Sequence, residues 1–297
     1  MKVMFFNHFH NGDIHVSREF IRKIMAKRPD ISYSYSHQNP SNLLADIPNL
    51  SFDNNAIHNV REHDNLNRIG DTVYINTWYG QQHQKYLKQY GITMDSLYSA
   101  FNDTCKGLLG FSLNNISSNV CDFFPTIDYS KFHIGEAKNW LANNPRKKIL
   151  VENGQALSHQ AHNFPMASVI INIAKKHSDK IFILTNQENM VLPENVVYSH
   201  NIIKKPMRSD LNEISFLSTH CDVIVGRASG VFAFSLTQEN LFRRGTKYLC
   251  FSNLVPRMVN KFWLGPLLQN KVNYSANIIT TNEPNVNKIS EIIERNI

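Results

Sequence analysis

Two short turns in the sequence combine small residues with groups that bind anions or move protons. The stretch Cys221–Gly230 (CDVIVGRASG) leads from an apolar run into glycine, arginine and serine, and Asn11-Gly12-Asp13 follows the apolar run Val3–Phe6. A buried strand that passes through such a turn into a helix presents backbone N–H groups to an anion such as a phosphate. The residues that we expect to contact an anion near the end of the first stretch are Gly226, Arg227, Ser229 and Gly230.

Asp13 and His15 are the candidates for a proton-accepting group at the N-terminal turn. A carboxylate or an imidazole can take the proton of an attacking hydroxyl when it lies within hydrogen-bond reach. Asp13 could instead cap the helix that follows, because aspartate is a favoured N-cap residue, and one side chain can do both. The chain has no histidine spacing that places metal ligands on one helix face, so we predict no metal site.

Polar residues also follow the predicted strands of the second half, at the strand ends where α/β proteins gather their ligands. Asn153 and Gly154 follow the strand near residue 150 and form a second candidate phosphate loop. Asn186 and Glu188 end the next strand and could contact the base or ribose of a nucleotide. Glu239 follows the helix predicted from Val231 and is a further ribose candidate. Each of these could equally be an ordinary polar turn residue.

The first half offers candidates for an acceptor site. His8 and His10 precede Asp13 in a polar loop, and Trp78 and Tyr79 follow the strand TVYIN. Aromatic rings at such a position can stack on a sugar, although a buried tryptophan in the core fits the same sequence.

These residues need alternating strands and helices to position them. The strands predicted from short apolar runs include Lys2–Phe6, Thr72–Asn76, Lys180–Leu184 and Lys247–Phe251. Stretches with helical periodicity lie between them, and this alternation predicts an α/β fold with parallel sheets covered on both faces. A chain of 297 residues suggests about two domains, which we expect at 1–144 and 145–297, with the last helix free to pack back on the first.

The composition limits the partners. Lys and Arg exceed Asp and Glu by 31 − 24 = 7, which favours anionic ligands such as a nucleotide, and allows peripheral contact with an anionic membrane. The basic residues form no stripe with interleaved aromatics, so nucleic acid is not expected. The four cysteines lack a CxxC pair, which argues against disulfide or zinc frameworks. No apolar run resembles a signal peptide or a membrane span, so we expect a cytoplasmic protein that is able to lie at the inner membrane face.

With these residues in place, the chain resembles the GT-B glycosyltransferases, and most closely the layout of the bacterial heptosyltransferases. Gly12-Asp13 stands where that family has a Gly-Asp pair whose carboxylate is the general base, and Leu211–Leu217 with Cys221–Gly230 resembles its helix, strand and turn at the donor diphosphate. The similar stretches cover about a third of the chain. Arg227-Ala228 departs from the family, which usually has Asp or Asn followed by a hydroxyl residue, and the usual histidine after the glycine is missing.

The resemblance implies two Rossmann-like domains that face a cleft, and an inverting transfer of a sugar from a nucleotide-activated donor to an acceptor hydroxyl without a bound metal or cofactor. The donor would lie on the second domain and a glycan or another hydroxyl acceptor on the first. Two alternatives stay open: a non-catalytic protein of this fold that binds a nucleotide or a sugar, and a nucleotide-sugar epimerase.

Overall fold

A computed structural model of the chain describes residues 1–7, 11–37, 43–53, 66–78, 93–157, 160–205, 209–253 and 277–297. Their contacts form two compact units. The first unit holds the described residues up to Thr126, and the second holds those from Ile127 onward. The second unit thus begins earlier than the domain boundary expected at residue 145.

The first unit is built on a five-stranded sheet. Its described elements are β1 (Lys2–Asn7), α1 (Asn11–Lys27), β2 (Ser32–His37), β3 (Leu50–Phe52), β4 (Leu66–Ile69), β5 (Thr72–Asn76) and α2 (Met94–Thr104), and a π-helical turn, Cys105–Leu109, continues α2. The strand order is β3-β2-β1-β5-β4, and β4 pairs antiparallel with β5 while the other pairs are parallel. Because β1 is central, its residues Val3–Phe6 are buried, as the apolar run predicts.

The second unit is built on a six-stranded parallel sheet. Its described elements are α3 (Gly135–Ala142), β6 (Lys147–Glu152), α4 (Met166–Ala174), β7 (Lys180–Leu184), β8 (Val196–Tyr198), α5 (Ser199–Ile202), α6 (Leu211–Ser218), β9 (Val223–Arg227), α7 (Gly230–Ala233), β10 (Lys247–Phe251), β11 (Asn277–Thr281) and α8 (Val286–Asn296). A second π-helical turn, Glu239–Arg243, lies between α7 and β10.

The order of the strands in this sheet is β8-β7-β6-β9-β10-β11. Strands β6, β7 and β8 lie on one side of the sheet and β9, β10 and β11 on the other. This is the Rossmann order, with its switch point between β6 and β9. In the parallel register of these two strands, Glu152 stands opposite Gly226. The α/β class and the two Rossmann-like units predicted from the sequence are therefore confirmed.

Apolar side chains on alternate strand positions hold the second sheet between its helices. On one face, Ile149 and Val151 of β6 pack with Ile170 of α4 and with Ile289 and Ile293 of α8. The last helix, α8, thus packs within the second unit, where an ion pair between Lys176 and Glu294 also joins it to the end of α4. Burying such side chains contributes about 25 cal/mol per Å² of apolar surface, so this face stabilises the sheet whose strand ends carry the site.

All four cysteines, at positions 105, 121, 221 and 250, are buried free thiols, and burial raises the pKa of each. Within the described ranges, none of the helices has the length and apolar character needed to cross a membrane.

Candidate functional site

A cavity of about 680 Å³ lies in the second unit where the loops after β6 and β7 meet the end of β9. This is the switch point of the strand order, and open α/β sheets bind ligands there. Five residues predicted from the sequence to bind a donor line it: Asn153, Gly154, Asn186, Glu188 and Arg227. The fold thus brings together candidates from three strand ends.

An amide–carboxylate network fixes one wall of the cavity. The Nδ2 of Asn153 donates to the backbone oxygen of Asn186 at 2.8 Å and to Oε1 of Glu188 at 2.9 Å. Its Oδ1 accepts from the backbone N–H of Asn186 at 2.8 Å. The hydroxyl of Tyr198 donates to the backbone oxygen of Glu188 at 2.6 Å. Because each loop is tied to another, the Glu188 carboxylate has a fixed position at the cavity wall.

Apart from Glu188 and Arg227, the side chains that line the cavity are neutral. Gln155, Asn163 and Gln187 add amide groups, and Phe164 and Leu157 add apolar surface. Leu157 is 84% exposed, which is unusual for a large aliphatic side chain and leaves it open to a ligand or partner. A wall of amides, one carboxylate and apolar groups suits hydroxyl groups and a flat heterocycle better than it suits a multiply charged anion.

Arg227 is the one cation in the described lining, and the protein itself uses most of its donors. Nη1 donates to the backbone oxygens of Asn153 and Gly154 at 2.9 and 2.7 Å, Nε donates to that of His162 at 3.1 Å, and Nη2 donates to that of Phe164. The guanidinium also lies 4.6 Å from the centroid of the Phe164 ring. Only 2% of the residue is exposed, and this burial lowers its pKa although the Glu188 carboxylate raises it.

The role predicted for Arg227, a diphosphate contact, therefore needs correction. Its N–H groups bind four carbonyl oxygens, and the side chain is buried in the fold. Its position at the end of β9 lets it hold the loop 153–164 against the sheet. The residue shapes the cavity instead of offering a free cation.

The turn after β9 has the form expected of it. The Oγ of Ser229 accepts from the backbone N–H of Phe232 at 3.3 Å and caps the four-residue helix α7, and Gly230 at its start is exposed. Gly226 must be glycine for reasons of space: a Cβ there would lie 2.5 Å from Cδ2 of Phe232 and 2.7 Å from Cβ of Glu152. Gly226 therefore permits close packing beneath the turn, while Ser229 and Gly230 stay at its surface.

Glu152 is a residue of this site that the sequence patterns did not indicate. It ends β6, only 2% of it is exposed, and neither of its carboxyl oxygens has a hydrogen-bond partner among the described residues. Burial raises the pKa of Glu152 to about 8, and the nearby carboxylate of Asp210 adds to the effect. Such groups are rare in protein interiors and concentrate at functional sites. In the sequence, Glu152 is recognisable only as the residue that ends the strand KKILVE.

In the first unit, Asp13 lies in the opening turn of α1 and is half-buried. Its charge acts on Tyr35, whose pKa is raised mainly by burial and also by Asp13. The Tyr35 hydroxyl lies 2.7 Å from Oγ1 of Thr77, and the Thr77 backbone N–H donates to the backbone oxygen of Phe6 at 2.8 Å. Asp13 therefore lies at the carboxyl edge of the first sheet, near the ends of β1, β2 and β5.

Trp78 lies at the same edge. It follows Thr77, it is half-buried, and its backbone N–H donates to Oδ1 of Asn76 at 2.8 Å. The structure thus brings Trp78 and Asp13 to one edge of one sheet. His8, His10 and Tyr79, the other acceptor candidates, lie outside the described residues.

His15, the alternative base, faces the interior. It is completely buried, and this burial together with the positive charge of Arg18 lowers the pKa of His15 well below its usual value. A neutral imidazole in the core cannot reach an acceptor hydroxyl. The structure therefore corrects this prediction and leaves Asp13 as the accessible candidate.

Glu239 is not brought to the cavity. It lies in the π-helical turn after α7, and its charge acts on His220, which precedes β9 at the amino edge of the sheet. The cavity is at the carboxyl edge, so the predicted contact of Glu239 with a ribose there is not supported. Among the residues that the structure describes, no three His, Cys, Asp or Glu side chains are grouped so that they could hold a metal ion.

Comparison with known proteins gives a likeness in fold. No family model matches the chain, and no curated protein matches it in sequence. Among solved structures, E. coli heptosyltransferase WaaC with ADP has a TM-score of 0.51 at 11% identity, with 100% of both chains covered. A glycosyl transferase family 9 protein from Veillonella parvula DSM 2008 has a TM-score of 0.50 at 11% identity, covering 99% of this chain and 91% of that one.

These neighbours and the two Rossmann-like sheets define the class of fold: the chain has the GT-B fold of glycosyltransferases. The particular layout that it shares is that of the heptosyltransferases, which confirms the resemblance predicted from its sequence. At this low identity the likeness concerns the fold, and the chemistry has to be argued from the residues.

Proposed function

We propose that the protein is a glycosyltransferase that moves a sugar from a nucleotide-activated donor to an acceptor hydroxyl, with inversion and without a bound metal or cofactor. The observation that carries the proposal is the convergence of Asn153, Asn186 and Glu188 on one cavity at the switch point of a Rossmann-type sheet. A heptosyltransferase with the same fold was solved with ADP, which supports a nucleotide as the ligand.

In this proposal the nucleoside of the donor occupies the cavity. The Glu188 carboxylate accepts hydrogen bonds from ribose hydroxyls, since Asn153 already holds it through Oε1. The amides of Asn186 and Gln187 face the base or sugar edges, and Leu157 and Phe164 supply apolar contact. This division matches the neutral lining, because the one cation in the described lining is occupied by backbone carbonyls.

The leaving diphosphate then needs donors outside the cavity. The exposed turn at Ser229 and Gly230 offers backbone N–H groups, and the exposed pair Lys204 and Lys205 follows α5 after β8. As the bond between the sugar carbon and the phosphate oxygen breaks, its electron pair passes to the diphosphate. Asp13 takes the proton of the acceptor hydroxyl as that oxygen bonds to the sugar carbon.

Trp78 would stack on the acceptor, since this residue follows β5 at the same sheet edge as Asp13. The excess of basic residues is also compatible with an acceptor that lies at an anionic membrane surface.

Thermal unfolding with ADP, UDP, GDP and CMP tests the nucleotide site. A ligand at 100 times its Kd stabilises the native state by about 2.7 kcal/mol, so a true donor nucleotide should raise Tm clearly. Glu188→Gln keeps an acceptor for Asn153 but loses the charge, and it should weaken binding. Glu194→Gln, an exposed residue outside the cavity lining, is the matched control. If none of the four nucleotides changes Tm at millimolar concentration, the proposal is refuted.

Turnover of the donor tests the base. Asp13→Asn should lower turnover by about 10²- to 10⁴-fold, the usual contribution of a general base, while nucleotide binding is retained. Asp30→Asn, after the far end of α1 and ion-paired with Arg28, should leave turnover unchanged. Retained nucleotide binding with no transfer to any acceptor would instead favour a non-catalytic binding protein of this fold.

A further inference from the structure

Glu152 lies at the point where the two strands of the switch point end, and the proposed chemistry does not use it. Its backbone pairs with Gly226 of β9. A Cβ at Gly226 would have no room, because it would overlap with Phe232 and with Cβ of Glu152. The next residues, Asn153 and Arg227, are joined by the hydrogen bond from Nη1 of Arg227 to the backbone oxygen of Asn153. The carboxyl group of Glu152 is therefore buried at the ends of β6 and β9, next in the chain to the loop that lines the cavity.

The charges around this carboxyl group disfavour its ionised form. Asp210, which precedes α6, is the charged group that acts on it, and Phe232 of α7 and Gly226 of β9 are apolar neighbours. Asp210 is itself half-buried; burial raises its pKa, and the exposed His200 lowers it. Glu213, in the first turn of α6, lies near Asp210 and adds another carboxyl group to this side. Among the described residues, no cation faces Glu152.

A neutral carboxyl group can stay in this enclosure, whereas a carboxylate without donors carries a large desolvation penalty. Separation of the ends of β6 and β9 would admit water to the ionised group. Separation would break the contact between Arg227 and Asn153, and with it the placement of Glu188, which Asn153 holds. The state of one buried group is thus coupled to the shape of the cavity.

We propose that Glu152 is a positioning residue of the nucleotide site: as a neutral acid it allows the ends of β6 and β9 to pack closely, and its ionisation separates them and weakens nucleotide binding. This inference rests on the proposed function, since the ligand is the donor nucleotide. It predicts an alkaline loss of affinity that belongs to the protein and not to the nucleotide.

The experiment is isothermal titration of wild type and Glu152→Gln with ADP, UDP and GDP between about pH 7 and pH 9.5. Glutamine has the shape of the neutral acid and cannot ionise. With a pKa of about 8, the neutral fraction falls from about nine-tenths at pH 7 to about one-tenth at pH 9, so the wild-type Kd should rise about tenfold. The variant should match wild type at pH 7 and lose this rise. The difference between the two proteins cancels any titration of the nucleotide.

The variant Asp210→Asn provides an independent test of the role of Glu152. The Asp210 carboxylate contributes no side-chain cap to α6, so the change is structurally mild. Removing this negative charge should lower the pKa of Glu152 and move the loss of affinity to lower pH. A merely structural role for Glu152 would not shift that profile.

The outcomes separate the two proposals. If wild type binds no nucleotide at pH 7, the proposed function fails and this inference fails with it. If both proteins bind at pH 7 and then lose affinity in parallel, or if neither loses affinity, the nucleotide site stands and the role of Glu152 is refuted. A loss confined to wild type that moves to lower pH in Asp210→Asn supports it.

Discussion

The stability of Glu152→Gln should depend on pH in a way that follows from the burial of this group. In the unfolded chain the carboxyl group ionises near the ordinary glutamate pKa of 4.5, and in the native state it does so near 8. Between these values the native state binds a proton that the unfolded state has lost. Native stability therefore falls as pH rises across this window, and the contribution present below pH 4.5 is lost by about pH 8.

The magnitude is set by the width of the window. One pKa unit corresponds to about 1.36 kcal/mol. The free energy of unfolding of the wild type should therefore be about 3 kcal/mol lower at pH 7 than at pH 4.5, because Glu152 is ionised in the unfolded chain but still mostly neutral in the native state. Glutamine does not titrate in either state. The free energy of unfolding of Glu152→Gln minus that of wild type should consequently increase by about 3–4 kcal/mol between pH 5 and pH 8.

Urea unfolding monitored at both pH values measures this difference, and equal m-values in the two proteins would validate the comparison. Comparing the change between pH values removes the constant cost of burying an amide in place of an acid. Glu294→Gln, a carboxylate ion-paired with Lys176 on the surface, is the control and should show no such increase. A difference that stays constant between the two pH values would mean that Glu152 ionises normally in the native state, which would contradict its raised pKa.

Three further predictions concern single residues. Arg227→Met should lower the free energy of unfolding by about 3 kcal/mol or more in urea, because four backbone carbonyls lose their donor. A loss below about 1 kcal/mol would contradict the structural role. Gly226→Ala should lower the free energy of unfolding by about 1–3 kcal/mol, because the added Cβ overpacks against Phe232. Gly135→Ala has open space around the added Cβ and should be nearly neutral. Equal effects of the two substitutions in urea unfolding would argue against close packing at Gly226. His15→Gln should reduce the loss of folding stability below pH 6.5, because the buried imidazole stays neutral in the native state and is protonated only in the unfolded chain. If the free energy of unfolding falls below pH 6.5 as steeply in the variant as in wild type, His15 titrates normally in the native state.

The strands of the fold could be predicted where they are short apolar runs in the middle of a sheet. Lys180–Leu184 and Lys247–Phe251 have the bounds that the sequence predicts, because central parallel strands are buried on both faces. The edge strands β4 and β11 could not be found in this way. Their sequences, LNRI and NIITT, are mixed, and β11 is fully buried at none of its five positions. The helix predicted from Val231 is present only as the four residues of α7, Gly230–Ala233.

The candidate site could be predicted as far as strand ends identify it. Asn153, Asn186 and Glu188 follow β6 and β7, so a parallel sheet brings them to one edge whatever its details. The surroundings of a side chain depend on register and on distant loops, which the sequence does not reveal. Arg227 illustrates this limit, since the carbonyls that it binds come from residues 63 to 74 positions earlier in the chain.

The placement of Arg227 and Glu152 changes how the site can work. An arginine in a glycine-containing turn suggests a cation for a diphosphate, but its guanidinium is buried beneath the cavity and holds the loop after β6. The cavity then has the carboxylate of Glu188 and no free cation in its described lining, so a polyanion there would be repelled while a ribose would be bound. In the proposed function, the phosphates of the donor therefore contact the turn at Ser229 and the lysines after α5. In the arrangement that we propose, Glu152 is neutral, because a second carboxylate at the ends of β6 and β9 would oppose both their close packing and the approach of an anionic donor.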